Sequence, residues 1–157
     1  MDLFVIMLFL HVLGAIVAFG PGFAAMVVGP MVAKEPQYAN FYARSQVLAG
    51  RRLVTPVSIS LAITGVAMIL LRGWPALTGD KHWLEAGILL YVVAVVVAMA
   101  IQAPAGRKLV ELTAQPPAPG AGPSPELLKT AGRVRTGGIV LSALVVAITF
   151  LMIAKPF

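Results

Sequence analysis

His11 is the residue of this sequence best suited to chemistry, because it is the one histidine inside a long apolar segment. It lies about eight residues past Leu3, or ~12 Å along a helix at ~1.5 Å per residue. A titratable group at such a depth is costly in hydrocarbon, so it usually faces a protein interior or an aqueous cavity. An imidazole there can bind a metal or haem iron, hydrogen-bond a quinone or carry a proton.

Depth along the helices predicts which polar residues meet His11. Tyr91 lies at the same ~12 Å when counted inward from Trp83, and Thr64 lies ~10 Å below Leu71. We therefore take His11, Tyr91 and Thr64 as candidate cofactor-binding residues and His11 as the candidate metal ligand, with His11 and Tyr91 in contact directly or through one water. A purely structural cluster, in which a neutral imidazole is satisfied by hydrogen bonds, is the alternative.

Other chemistry finds little support in the residues. The chain has no cysteine, which excludes disulfides and thiolate metal sites. The methionines are dispersed and not paired with His11 as a soft copper site requires, and no phosphate-binding loop or nucleophile elbow occurs. Glu85 is expected to pair with Lys81 or Arg72 at the outer interface. The net charge of +6 is explained by basic loops, so we expect no nucleic-acid partner.

The elements that carry these residues are membrane spans. The sequence is 59% hydrophobic and 11% charged, with a mean hydropathy of +0.93, and its apolar residues form blocks long enough to cross a bilayer. Four spans are predicted in one integral membrane domain covering the chain, at about 3–33, 53–71, 83–103 and 137–154. The first carries Pro21 and Pro30 and is expected to be one kinked helix, with a break near Phe19 as the alternative.

Basic residues indicate the topology and the membrane. Nine of the twelve lysines and arginines fall on the side of the 34–52 and 104–136 segments, which places these segments in the cytoplasm and both termini outside it. We expect the bacterial inner membrane. Segment 35–50 is expected to form an interfacial helix, and 115–125 a mobile proline-rich loop. Ser124 followed by Pro125 predicts the start of a short helix leading into the fourth span.

Small and polar residues share one face of each span, which predicts an all-α four-helix bundle. In the first span this face contains His11, Gly14, Ala18, Gly22 and Gly29. Because every span carries such a face, some faces are available to partners, and we expect a homo-oligomer or a subunit of a membrane complex in the lipid bilayer.

Two motifs carry a resemblance to known families: Leu10-His11-Val12-Leu13-Gly14-Ala15-Ile16, and Arg51-Arg52-Leu53-Val54-Thr55-Pro56 continuing to Leu61-Ala62-Ile63-Thr64-Gly65. Here the chain resembles a family of small bacterial integral membrane proteins of unknown function. More distantly it is similar to copper-resistance D-type proteins and HemJ-type protoporphyrinogen oxidases. The HemJ-type similarity implies haem b ligation by His11 and porphyrin oxidation, and the copper-type similarity implies a copper ligand at His11.

Three functions stay open on these grounds. The first is a non-enzymatic subunit, carrier or small-molecule-binding bundle with His11 lining its interior. The second is a redox or metal-handling protein with haem or copper at His11. The third is an oligomeric transporter or channel subunit.

Overall fold

The structure is a computed structural model that describes residues 2–72, 82–115 and 122–156. Within these ranges the chain forms helices and no β-strand, which confirms the predicted all-α class. The elements are α1 (Leu3–Lys34), a 3₁₀ turn (Pro36–Tyr38), α2 (Ala39–Ala49), a π-helical turn (Gly50–Val54), α3 (Thr55–Arg72), α4 (His82–Val97), a second π-helical turn (Ala98–Gln102), α5 (Ala103–Thr113) and α6 (Pro125–Ala154).

Four helices are long and apolar enough to cross a membrane: Leu3–Lys34, Pro36–Arg72, His82–Thr113 and Pro125–Ala154. Each is longer than the span predicted within it, because the polar residues beside the apolar block continue the helix. The expected interfacial helix is thus the first part of Pro36–Arg72, and the expected short helix after Ser124 is the first part of α6. The proline-rich loop lies largely outside the described residues.

Capping explains where α1 and α6 begin. The carboxylate of Asp2 accepts a hydrogen bond from the backbone N–H of Phe4, at 3.2 Å. The hydroxyl of Ser124 accepts one from the N–H of Leu127, at 3.2 Å, with Pro125 in the first turn. Both use a side-chain oxygen to satisfy a backbone donor that lacks a partner at a helix start. The predicted N-cap at Ser124 is confirmed.

The prolines inside the helices differ in their effect on the backbone: those of α1 lie in continuous α-helix, whereas those of the second and third long helices follow a wider, π-helical turn. α1 passes through Pro21 and Pro30 without interruption, so the break near Phe19 is wrong, while the bend expected at each proline stays a prediction. Pro56 and Pro104 each follow a π-helical turn by two residues. A proline ring clashes with the carbonyl four residues earlier and donates no hydrogen bond, so a wider turn just before it relieves the clash. Thr55 reinforces the first of these turns, because its hydroxyl donates to the carbonyl of Gly50 at 2.8 Å.

The helices pair differently on the two sides of the π-helical turns. On one side α2 packs against α5, and α5 also packs against α6. On the other side α3 packs against α1, and α4 packs against α6. The second long helix, Pro36–Arg72, and the third, His82–Thr113, therefore lie together along one half of their length and turn to different neighbours along the other half. α1 also contacts α6.

Few side chains are buried in this bundle. The buried apolar ones are Ala18, Ala43, Leu61 and Val145, and the buried polar ones are Thr64, Thr130 and Ser142. At most 17% of the residues in the apolar stretch of any of the four helices are buried. The outer surface carries exposed leucine, isoleucine, valine and phenylalanine side chains, as a protein solvated by lipid requires.

Candidate functional site

The candidate site is the contact between His11 of α1 and Thr64 of α3. The Nδ1 atom of His11 lies 2.9 Å from the hydroxyl oxygen of Thr64. Thr64 is buried, with 6% of its surface exposed, and the His11 side chain is partly buried. Thr64 thus lies beside the imidazole, as its depth along α3 predicted.

The hydroxyl of Thr64 determines which nitrogen of His11 carries the proton. Thr64 Oγ1 lies 2.8 Å from the carbonyl of Ser60 and 3.2 Å from that of Leu61, and it donates to these oxygens. A hydroxyl has one hydrogen, so its oxygen must accept from His11, and Nδ1 must be the protonated nitrogen. In the neutral imidazole the second nitrogen, Nε2, then carries a lone pair. Among the described residues, no side chain or backbone group hydrogen-bonds to Nε2.

Glycines allow α1 and α3 to approach at this level. A Cβ on Gly65 would lie 3.4 Å from Cε1 of His11, and a Cβ on Gly14 would lie 3.3 Å from Cδ2 of Leu61. Each helix therefore presents a glycine to a large side chain of the other, the arrangement that small residues provide between membrane helices. The imidazole is held between the Thr64 hydroxyl and the Gly65 backbone, with its ring orientation set by both.

Tyr91 does not join this site. Its hydroxyl donates to the carbonyl of Ser58 on α3 at 2.6 Å, about one and a half turns from Thr64. Of the predicted contact between His11 and Tyr91, the direct hydrogen bond is not formed, and the contact through one water stays a prediction. Equal depth did not bring them together because α4 packs mainly on α6, while His11 faces α3.

Gln102 forms a second polar contact, which the sequence analysis missed. Its Nε2 donates to the carbonyl of Val134 on α6 at 3.1 Å, and its Oε1 is buried without a hydrogen-bond partner. The amide lies directly over Gly137, so closely that a Cβ at Gly137 would overlap Oε1. The available signal was a glutamine on the polar face of its helix opposite a Gly-Gly pair in the fourth span.

The outer end of the bundle also differs from expectation. Glu85 Oε2 pairs with Nδ1 of His82 at 3.3 Å, with both side chains more than half exposed. Arg72 instead lies over the ring of Phe4, 4.2 Å from its centroid. The predicted pair of Glu85 with Arg72 is wrong, and Lys81 lies outside the described residues. An exposed pair of this kind contributes little to stability.

The donor set at His11 suits some metal groups better than others. Within the described residues, no group of three His, Cys, Asp or Glu side chains is placed to hold a metal ion. A bare copper ion needs several protein ligands, whereas haem iron can be held by one axial histidine. Ligating histidines usually bind through one nitrogen while the other donates a hydrogen bond that fixes the ring, as Nδ1 of His11 does to Thr64. The residues present fit a single axial ligand and not a copper site.

Four apolar helices with a lipid-facing exterior and an interior of small and polar residues define an integral membrane protein with four spanning helices. A comparison with family models agrees with this class. The chain belongs to DUF2269, a family of predicted integral membrane proteins whose model matches residues 5–156. No curated protein and no solved structure matches the chain. The similarity to copper-resistance and HemJ-type proteins stays a prediction.

Proposed function

We propose that this protein is a non-enzymatic, small-molecule-binding bundle of the membrane in which Nε2 of His11 contacts the ligand. One observation carries the proposal: the Thr64 hydroxyl holds the proton on Nδ1 and leaves the Nε2 lone pair without a partner among the residues that the structure describes. A polar atom in an apolar environment is costly unless it is hydrogen-bonded or coordinated. A ligand with a hydroxyl, an N–H or a metal centre removes that cost.

The test compares three forms of the protein purified in mild detergent: wild type, His11→Phe and Thr64→Ser. Phenylalanine preserves a planar ring against Gly65 and removes both nitrogens, while serine keeps the hydroxyl that orients the imidazole. Solvent extracts analysed by mass spectrometry should show a small molecule with the wild type and Thr64→Ser that is depleted with His11→Phe. Identical extracts from all three forms would refute a ligand contact at His11.

Haem b is the second candidate, favoured by the match between His11 and an axial ligand. His11 would hold the iron through Nε2, Thr64 would orient the imidazole, and bound haem would supply electron transfer. On this candidate the purified wild type shows a Soret band, either as isolated or after addition of haem b, and His11→Phe does not. A band of equal intensity in both forms would assign any haem to another site.

The distribution of basic residues supports a membrane location and an orientation, and the small number of buried side chains supports an oligomer. We propose the bacterial inner membrane with both termini outside the cytoplasm, on the nine-to-three distribution of basic residues. We also propose a homo-oligomer, because the helices bury so few side chains within one chain. Native mass spectrometry in mild detergent should give a dimer or larger species, and a monomer at every detergent concentration would contradict this. A transporter or channel function would require that oligomer.

A further inference from the structure

We propose that a groove between the third and fourth long helices binds one anionic phospholipid, with its phosphate at Arg133 and an acyl chain along the adjoining apolar wall. The groove has a volume of about 410 Å³. Its apolar wall is formed by Val97, Ile101 and Val140. Gly132 leaves it open, because a Cβ there would meet no atom within 4 Å. Arg133, Thr136 and Gly137 line the same groove.

The polar and apolar parts of the groove are arranged like those of a phospholipid. Arg133 precedes Val140 by two helical turns, or ~10 Å along α6. Arg133 lies near the start of the predicted fourth span, at the level where headgroups occur, and Val140 lies within it. A phosphate at Arg133 therefore leaves its acyl chain directed along Val140 and Ile101.

Charge favours an anionic headgroup at this position. Lys129 lies one turn before Arg133 on the same face of α6, and both are exposed. In the part of the chain that the structure describes, neither forms an ion pair. The nearest acidic residue along the helix, Glu126, is paired with Lys108 at 3.3 Å and not with Lys129 or Arg133. Basic pockets between membrane helices bind acidic headgroups through such side chains.

The experiment is native mass spectrometry of the full chain in detergent, with phosphatidylglycerol or phosphatidylcholine of identical acyl chains added in turn. We expect the first bound lipid to be preferentially phosphatidylglycerol. Arg133→Gln should reduce that preference about fivefold, the factor that corresponds to ~1 kcal/mol for one basic residue near a membrane surface. Arg135→Gln, which removes an exposed arginine of the same helix outside the groove, should leave it unchanged.

A second variant tests the apolar wall. A Cβ at Gly132 meets no atom within 4 Å, so Gly132→Leu can fill the groove without disturbing the fold. It should lower the occupancy of both lipids. The proposal would be overturned if Arg133→Gln and Arg135→Gln lost the preference for phosphatidylglycerol equally, or if the wild type bound the two lipids equally. Unchanged lipid occupancy in Gly132→Leu would also overturn it. So would full competition by soluble glycerol phosphate, because the groove would then bind a free anion.

Discussion

The His11–Thr64 hydrogen bond is asymmetric, and this asymmetry determines what each side chain contributes to stability. Thr64 donates to the carbonyl of Ser60 whether or not His11 is present. Among the described side chains, Thr64 is the one that accepts from Nδ1 of His11. Removing the hydroxyl therefore leaves a polar N–H without its acceptor, whereas removing the imidazole leaves no donor unsatisfied.

Thr64→Val should accordingly lower the free energy of unfolding by about 1–3 kcal/mol, the cost of a partly buried donor without a partner. His11→Leu should lower it by less than about 1 kcal/mol, since an apolar side chain replaces a polar one. Both values can be measured by unfolding in a fixed detergent, with Thr64→Ser as the control that keeps the acceptor. A larger loss in His11→Leu than in Thr64→Val would contradict the assigned tautomer.

At the scale of elements, the contact between the third and fourth long helices depends on Gln102 and Gly137. An added methyl group at Gly137 must displace the Gln102 amide and break its 3.1 Å hydrogen bond to the carbonyl of Val134. Gly87 offers a contrast, because a Cβ there would meet the flexible terminal methyl group of Met152. Met152 can rotate away at little cost, whereas the amide of Gln102 is held in place.

Gly137→Ala should therefore lower the free energy of unfolding by about 1 kcal/mol in the wild-type background and by clearly less when Gln102 is already alanine. Gly138→Ala is the matched control, because its Cβ would lie 3.9 Å from Nε2 of Gln102, an ordinary contact. The double-mutant cycle isolates the coupling. Additive effects of the two substitutions would show that the amide does not occupy the space above Gly137.

Tyr91 and Ser58 join α4 to α3 where these helices otherwise turn to different neighbours. Tyr91→Phe removes the hydrogen bond and should broaden the distance between spin labels at Ile59→Cys and Val92→Cys. Labels at Phe41→Cys and Glu111→Cys, on α2 and α5, should give an unchanged distance. The chain has no cysteine of its own, so the labels are unambiguous. Equal broadening in both pairs would show that the hydrogen bond acts on the whole bundle.

The sequence was sufficient for the helical class, the four spans and the Thr64 partner, because hydrophobic block length and helical rise determine them. It was insufficient for Tyr91, since depth says nothing about which neighbour a helix face meets. Two of the helices also continue beyond the predicted spans, because polar residues such as Arg107 and Arg133 form helix as readily as the apolar residues beside them. Pro56 and Pro104 were the available signals for the two π-helical turns, because a proline ring clashes with the carbonyl four residues earlier.

At the scale of the whole molecule, the small number of buried side chains makes the free energy of unfolding depend on the lipid or protein that surrounds the bundle. Within the described ranges only four apolar side chains are buried, so much of the packing of these helices must come from lipid or from further chains. The proposed orientation rests on the basic residues, since lysine and arginine are generally retained on the cytoplasmic side.

The orientation can be tested with a membrane-impermeant maleimide on intact cells. Pro156→Cys, near the carboxyl end, should react, whereas Glu35→Cys, between the first two long helices, should react only after the cells are permeabilised. Both positions are exposed in the protein, so the difference reports the side of the membrane. Labelling of Glu35→Cys on intact cells would reverse the predicted topology.

The two π-helical turns shift the angular phase of the helices that contain them. One residue inserted in a helix rotates everything beyond it by about 100° around the axis. The side of the second long helix that contacts α5 in its α2 part is therefore not the side that continues the same direction in α3. The third long helix is rotated in the same way between α4 and α5. One continuous helix can thus contact one neighbour on one side of the π-helical turn and another neighbour beyond it. Deleting a single residue from either turn would restore an unbroken α-helix and rotate Thr64 or Tyr91 out of its present contact.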